Sequence, residues 1–105
     1  MPWTFQTLNA LVDEEIRALP ADMQARLLRF AEIIAQVGFD GLPRVKHVEG
    51  SLWELRMTGR AGISRAIYVT AVGRRVIVVR VFVKKTQKTP ARELDLARQR
   101  AKDVK

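Results

Sequence analysis

The residues best placed to do chemistry are cations delivered by a stiff strand. In the window Val76 to Val83, seven of eight side chains are β-branched or aromatic and only Arg80 interrupts them. Such a run predicts a strand buried on both faces near the middle of a sheet. Lys84, Lys85 and Lys88 arrive as the apolar pattern stops, so the sheet delivers positive charge to its own edge, in positions stiff enough to serve a polyanion. Arg80 must reach solvent or pair with an acid, because an isolated charge inside such a run is costly. The one histidine, His47, lies on a candidate strand beside Arg44 and Lys46 and could act as acid or base near neutral pH. The plain alternative is a histidine with no chemical role.

The charge balance supports a polyanionic partner. Residues 1–43 hold six acids and three bases, whereas residues 44–105 hold sixteen bases and five acids, within a formal total of +8. The positive field therefore belongs to the C-terminal part, where clustered cations favour nucleic acid. A merely solvated basic surface is the competing explanation. With no cysteine, disulfides and thiolate metal sites are excluded, and the lone histidine argues against zinc. Asp13, Glu14 and Glu15 are consecutive, which spreads them around a helix instead of converging them on a metal; Glu93 and Asp95 fail the same test. No cofactor is expected. The N-terminus lacks signal-peptide character, and no apolar run approaches the roughly 20 residues of a membrane span. The expectation is a cytosolic protein without membrane contact.

The elements that must position these groups follow from periodicity. At 105 residues the chain has room for one domain, expected over 1–105. Trp3 to Phe5 alternates as an edge strand would. Leu8, Leu11, Val12, Ile16 and Leu19 share one face of a helix over residues 8–19. Pro20 opens a second helix, carrying Met23, Leu27, Phe30, Ala31 and Ile34 at spacings of three and four until Gly38 stops it. This hairpin needs a sheet to cover its apolar faces. Strands are predicted over 44–48, 51–57 and 63–72, the last turning at Gly73 into the central strand as an antiparallel meander. Alternation puts Trp53, Leu55 and Met57 on one face and Leu52, Glu54 and Arg56 on the other, so Arg56 is on the outer face. Pro90 suits the first position of a last helix with Thr89 as its cap, and Leu94, Ala97, Ala101 and Val104 give that helix only a thin stripe. The fold class is thus α+β: a small antiparallel twisted sheet of three to five strands, an N-terminal helical hairpin and a C-terminal helix.

Three segments together resemble a known family. They are Leu52-Trp53-Glu54-Leu55-Arg56, then Ser64-Arg65-Ala66-Ile67-Tyr68, then Phe82-Val83-Lys84-Lys85-Thr86-Gln87-Lys88-Thr89-Pro90 with Arg92-Glu93 and a helix ending Arg98-Gln99-Arg100-Ala101-Lys102-Asp103. The chain is similar to the HigB branch of the RelE/ParE toxin superfamily, also described as phage-derived Gp49-like proteins. The resemblance implies a RelE-like fold, the toxin of a type II toxin-antitoxin pair, ribosome-dependent mRNA cleavage, and inhibition by a helix-turn-helix antitoxin of the HigA kind, in an assembly such as a heterotetramer.

The chemistry permits that activity. Cutting RNA without a metal needs the 2′-hydroxyl to attack the adjacent phosphorus while cations hold the charge building on the phosphoryl oxygens. Arg56, Arg65, Lys84 and Lys85 match the family's basic positions: the two arginines as phosphate clamps, a lysine as transition-state stabiliser. Lysine could also protonate a leaving oxygen if its pKa were lowered. Alternation lets only one of Lys84 and Lys85 face the site unless the strand has already ended. His47 joins the catalytic candidates, and Arg44, Lys46, Gln87, Lys88 and Arg92 are candidate RNA contacts. The tyrosine some RelE relatives carry after the basic pair is missing between Thr89 and Arg92, and no obvious general base replaces it. Glu54 could orient Arg56, act as base, or form a plain ion pair. Tyr68 and Trp53 read as core. Two other functions remain open: a ParE-like gyrase-inhibiting toxin, which needs no basic cluster around one phosphate, and a non-catalytic nucleic-acid-binding module, for which charge alone suffices.

Overall fold

The computed structural model describes residues 3–38, 45–60, 62–84 and 89–104. In chain order the elements are β1 (Thr4–Thr7), α1 (Ala10–Arg17), α2 (Ala21–Val37), β2 (Val45–Glu49), β3 (Leu52–Gly59), β4 (Gly62–Ala71), β5 (Arg75–Lys84) and α3 (Ala91–Ala101). The sheet order is β1-β5-β4-β3-β2. The expected antiparallel meander runs from β2 to β5, and β1 adds to it in parallel, Phe5 opposite Val76. The connection from β1 to its neighbour is long enough for this because all the other elements except α3 intervene.

Each sheet face carries its own core. The helical hairpin covers one, where Val12, Met23, Leu27, Phe30 and Ile34 pack on Leu55, Met57, Ala66, Tyr68, Val76 and Val78. Helix α3 covers the other, placing Ala97 and Leu94 against Leu52, Ile67, Val69, Ile77 and Val79. Helix α1 is shorter than its periodicity predicts because the Asn9 side chain accepts from Val12 N–H and starts it late. Leu11, expected on the buried face, is 57% exposed. Gly38 ends α2 at φ +75°, a conformation that favours glycine.

Strand β5 is not the middle strand of the sheet but second from one edge, between β1 and β4; Val76, Ile77, Val78, Val79 and Val81 are buried as their composition requires, whereas Val83 is 42% exposed, and the register of the strand shifts next to Arg80. Ile67 pairs with Arg80 and Tyr68 with Val78, so Val79 is an extra residue and the strand bulges there. Strand β1 stops pairing at Val78, where Leu8 N–H donates to its carbonyl. Beyond that point side chains meet the edge of β5: Val81 N–H donates to Glu15 Oε1 (3.1 Å), and Arg100 Nη1 donates to the Val79 carbonyl (2.9 Å). Arg80 Nη1 lies 2.7 Å from Glu15 Oε2, its Nε and Nη2 both donate to Glu93, and Arg100 Nη1 lies 2.8 Å from Glu15 Oε2. Burial alone would lower the Arg80 pKa, but the carboxylates of Glu93 and Glu15 outweigh it and hold the guanidinium above its usual value. Helix α3, thin in apolar contact, is thus also held by the ion pairs of Glu93 with Arg80 and Arg100 with Glu15, and by a third between Arg98 and Glu49 of β2.

A smaller tie joins α2 to the β3–β4 turn. Asp22 Oδ2 accepts from Arg60 N–H at 2.9 Å, and a Cβ at Gly59 would collide with that carboxylate. The Arg60 hydrogen bond lowers the Asp22 pKa below 3.8. Because the folded value is the lower one, the stabilisation is complete above 3.8 and is lost as pH falls through the depressed value. Asp22→Asn should therefore flatten the acid side of a stability-pH curve. Glu15→Ala, which leaves Arg80 with Glu93 alone and takes the acceptor from the Val81 amide, should cost about 2 kcal/mol in urea unfolding at neutral pH. Glu32→Ala, which breaks only the exposed pair with Arg29, should cost less than about 0.5 kcal/mol.

Candidate active site

Alternation along four strands brings charge to one end of the α3 face. Lys46 is registered opposite Glu54, Arg56 opposite Arg65, and Ile63 opposite Lys84. Facing positions on neighbouring strands lie within about 5.5 Å at Cβ, so these side chains crowd one another. They surround a cavity of about 220 Å³ lined by Lys46, Val48, Glu54, Arg65, Lys84, Thr89 and Leu94. Cations from β2, β4 and β5 therefore converge on one concavity, with Arg56 of β3 exposed beside it.

Three of the charged groups are deeply buried: Glu54 is 4% exposed, Lys84 7% and Arg65 8%. Burial on this scale demands partners. Arg65 Nη1 donates to Glu54 Oε1 at 2.6 Å, and Thr89 Oγ1 donates to Glu54 Oε2 at 2.8 Å. Arg65 Nε is buried with no hydrogen-bond partner among the described residues. It is a donor that an oxyanion in the cavity would satisfy. Burial first, then the charge of Arg65, and further the charges of Lys46 and Arg56 hold the Lys84 ammonium below its usual pKa of 10.5, while Glu54 pulls the other way.

The structure thus brings together Arg56, Arg65, Lys84 and Lys46. Arg44, Lys85, Gln87 and Lys88 lie outside the described residues, and Arg92 is exposed on the first turn of α3. His47, the remaining catalytic candidate, is not brought to this cavity. It follows Lys46 on β2 and so points to the opposite face, where its ring packs 4.9 Å from Trp53 and Nε2 sits 2.8 Å from the Gly50 carbonyl. Period two makes it impossible for both neighbours to enter the site. Thr89 does not cap α3; Pro90 holds the cap position and the Thr89 hydroxyl goes to Glu54 instead, since a buried carboxylate takes whatever donor can reach it. Glu54 pairs with Arg65, not Arg56. Tyr68 is core, packed 5.9 Å from Phe30, and burial raises its phenol pKa. Among the described residues no group of three or more His, Asp or Glu side chains is arranged to hold a metal.

The model of the family described as "Phage derived protein Gp49-like" matches residues 14–102. The chain belongs to that family. This Gp49-like chain also shares its fold with a chain of the crystal structure of the archaeal RelE-RelB complex from Pyrococcus horikoshii OT3, with a TM-score of 0.54 over 81% of this chain and 98% of that one, at 20% identity. The α+β RelE-like architecture is therefore established. No curated protein matches the chain significantly.

The buried Lys84 ammonium makes the Gp49-like site costly to keep. Because its folded pKa lies below 10.5, the unfolded chain binds more protons as pH approaches that value, and stability from this group rises with pH. Lys84→Met should therefore be neutral or slightly stabilising at pH 7. Its advantage over wild type in urea unfolding should shrink at alkaline pH.

Proposed function

We propose that this chain is the toxin of a type II toxin-antitoxin pair and that it inactivates translation by cutting mRNA on the ribosome without a metal. The observation that carries this reading is the convergence of Lys46, Arg65 and Lys84 from three strands on one small cavity beside Arg56. A purely electrostatic binder has no need of such burial, and a toxin acting through a protein contact has no need of one phosphate-sized cluster. The family match, the fold shared with a RelE-RelB complex and the absence of a membrane-spanning helix among the described residues all fit this reading. It places the protein in the cytoplasm, with a neutralising antitoxin of the HigA-like helix-turn-helix kind and a heterotetrameric resting complex.

In the reaction, Arg65 and Arg56 grip the non-bridging oxygens of the scissile phosphate, and Arg65 Nε finds there the acceptor it lacks in the protein. The 2′-oxygen bonds to phosphorus as its proton passes to water, and Lys46 and Lys84 stabilise the charge on the pentacoordinate phosphorus group. The P–O5′ bond breaks, and the Lys84 ammonium gives its proton to the leaving oxygen, leaving a 2′,3′-cyclic phosphate and a 5′-hydroxyl. Lys84 is then reprotonated from solvent. Its lowered pKa makes it a better acid than an ordinary lysine.

The decisive experiment expresses wild type and an Arg56→Ala, Arg65→Ala, Lys84→Ala triple variant and maps translated mRNA by primer extension. Codon-phased cuts made by wild type and lost in the variant are expected. Growth arrest with cleaved DNA and intact mRNA would instead assign a gyrase-directed toxin, and no toxicity would leave a binding module. With purified components, the cleavage rate should fall at alkaline pH with a midpoint below 10.5, since a general acid must be protonated to act.

A further inference from the structure

Among the described residues Glu54 is the one carboxylate lining a cavity otherwise furnished with cations, and both its oxygens are already engaged. Oε1 is fixed by Arg65 of β4 and Oε2 by the Thr89 hydroxyl, which stands two residues before α3. With one oxygen bonded to a guanidinium at 2.6 Å and the other to a hydroxyl at 2.8 Å, the carboxylate has both oxygens occupied by the protein itself. Without it, nothing among the described residues would fix the Arg65 guanidinium, whose Nε has no partner and whose cross-strand neighbour is the like-charged Arg56.

We propose that Glu54 is a positioning residue that aims the Arg65 guanidinium through one oxygen and docks the leading end of α3 through the other, so that the two sides of the oxyanion cavity are set by one buried carboxylate. The functional part of this inference rests on the cavity receiving an RNA phosphate. The geometric part does not. Among the described residues the charged groups facing Glu54 are Lys46 from β2, Arg56 along β3, Arg65 from β4 and Lys84 from β5, and the α3 side contributes the Thr89 hydroxyl and apolar Leu94. Glu54 also favours the charged form of Lys84, so removing it should push the Lys84 titration further down.

Glu54→Gln keeps the volume of the side chain but offers one acceptor oxygen for two donors and no charge. Three readouts separate aiming from simple support. In wild type the Arg65 Nε–H resonance should be slowly exchanging, with restricted rotation of the guanidinium; in Glu54→Gln it should average and exchange faster. Affinity for a fully 2′-O-methylated RNA, which cannot be cut, should hold or tighten because the cavity gains positive charge, while cleavage falls by about 100-fold, the usual effect of a misplaced catalytic group. The alkaline limb of the cleavage profile and the NMR titration of Lys84 should both move to lower pH.

Should Glu54→Gln prove too unstable, Thr89→Val removes only the second tie and should give an intermediate loss of cleavage with Arg65 still ordered. An Arg65 guanidinium equally ordered with and without Glu54 overturns the proposal. So does a parallel loss of RNA affinity and cleavage in a folded variant. If wild type cuts no RNA, the endonuclease reading fails, and the Arg65 and Lys84 resonances still decide the role of Glu54.

Discussion

Arg80 is a guanidinium set in the most apolar strand of the molecule, and the cost of burying it organises much of the rest. It can be held there only by carboxylates, and these come from α1 on one side and α3 on the other. The strand bulges at Val79, next to Arg80, which breaks the register of β5 just where β1 stops covering its edge. The same two helices then satisfy the backbone exposed by the bulge, through Glu15 to Val81 N–H and Arg100 to the Val79 carbonyl. One charge thus fixes how the two helical layers are locked to the strand between them. Such a junction specifies an arrangement more than it adds stability, since a buried ion pair roughly balances its own desolvation.

The candidate site depends on that junction. Glu93, which holds Arg80, is in the first turn of α3, one residue before Leu94 of the cavity wall and four after Thr89. The bulged strand continues to Lys84, where the cavity begins. Structural and functional charges therefore follow opposite rules on the same face. In the Arg80 junction the charges balance, two carboxylates against two guanidiniums. Among the described residues lining the cavity, a single carboxylate stands against Lys46, Arg65 and Lys84. Like charges held close together raise the energy of a protein and favour an anion that relieves it, which is how binding sites trade stability for affinity.

Much of this was legible in order along the chain, because local periodicity reports local structure. Alternation over Ser51–Met57 assigned Glu54 and Arg56 to one face correctly, since period two needs no knowledge of partners. The spacing of Met23, Leu27, Phe30 and Ile34 gave the buried face of α2 for the same reason. The need of Arg80 for an acid followed from its setting alone. Helix ends were less legible: the start of α1 depends on a side-chain bond by Asn9, and that of α3 on where Thr89 finds its acceptor.

By itself the sequence determined which residues share a strand face, where helices lie, and that an excess of cations belongs to the C-terminal part. Only the tertiary structure decided which strands stand side by side, and with them every partnership across the sheet. Glu54 meets Arg65 instead of Arg56, Glu15 reaches a strand 66 residues away, and His47 is turned from the cavity that its neighbour Lys46 lines. The physical reason is that alternation fixes only the parity of a side chain. Its partner is chosen by strand order, register and the bulge, which are set by contacts between segments far apart in the chain.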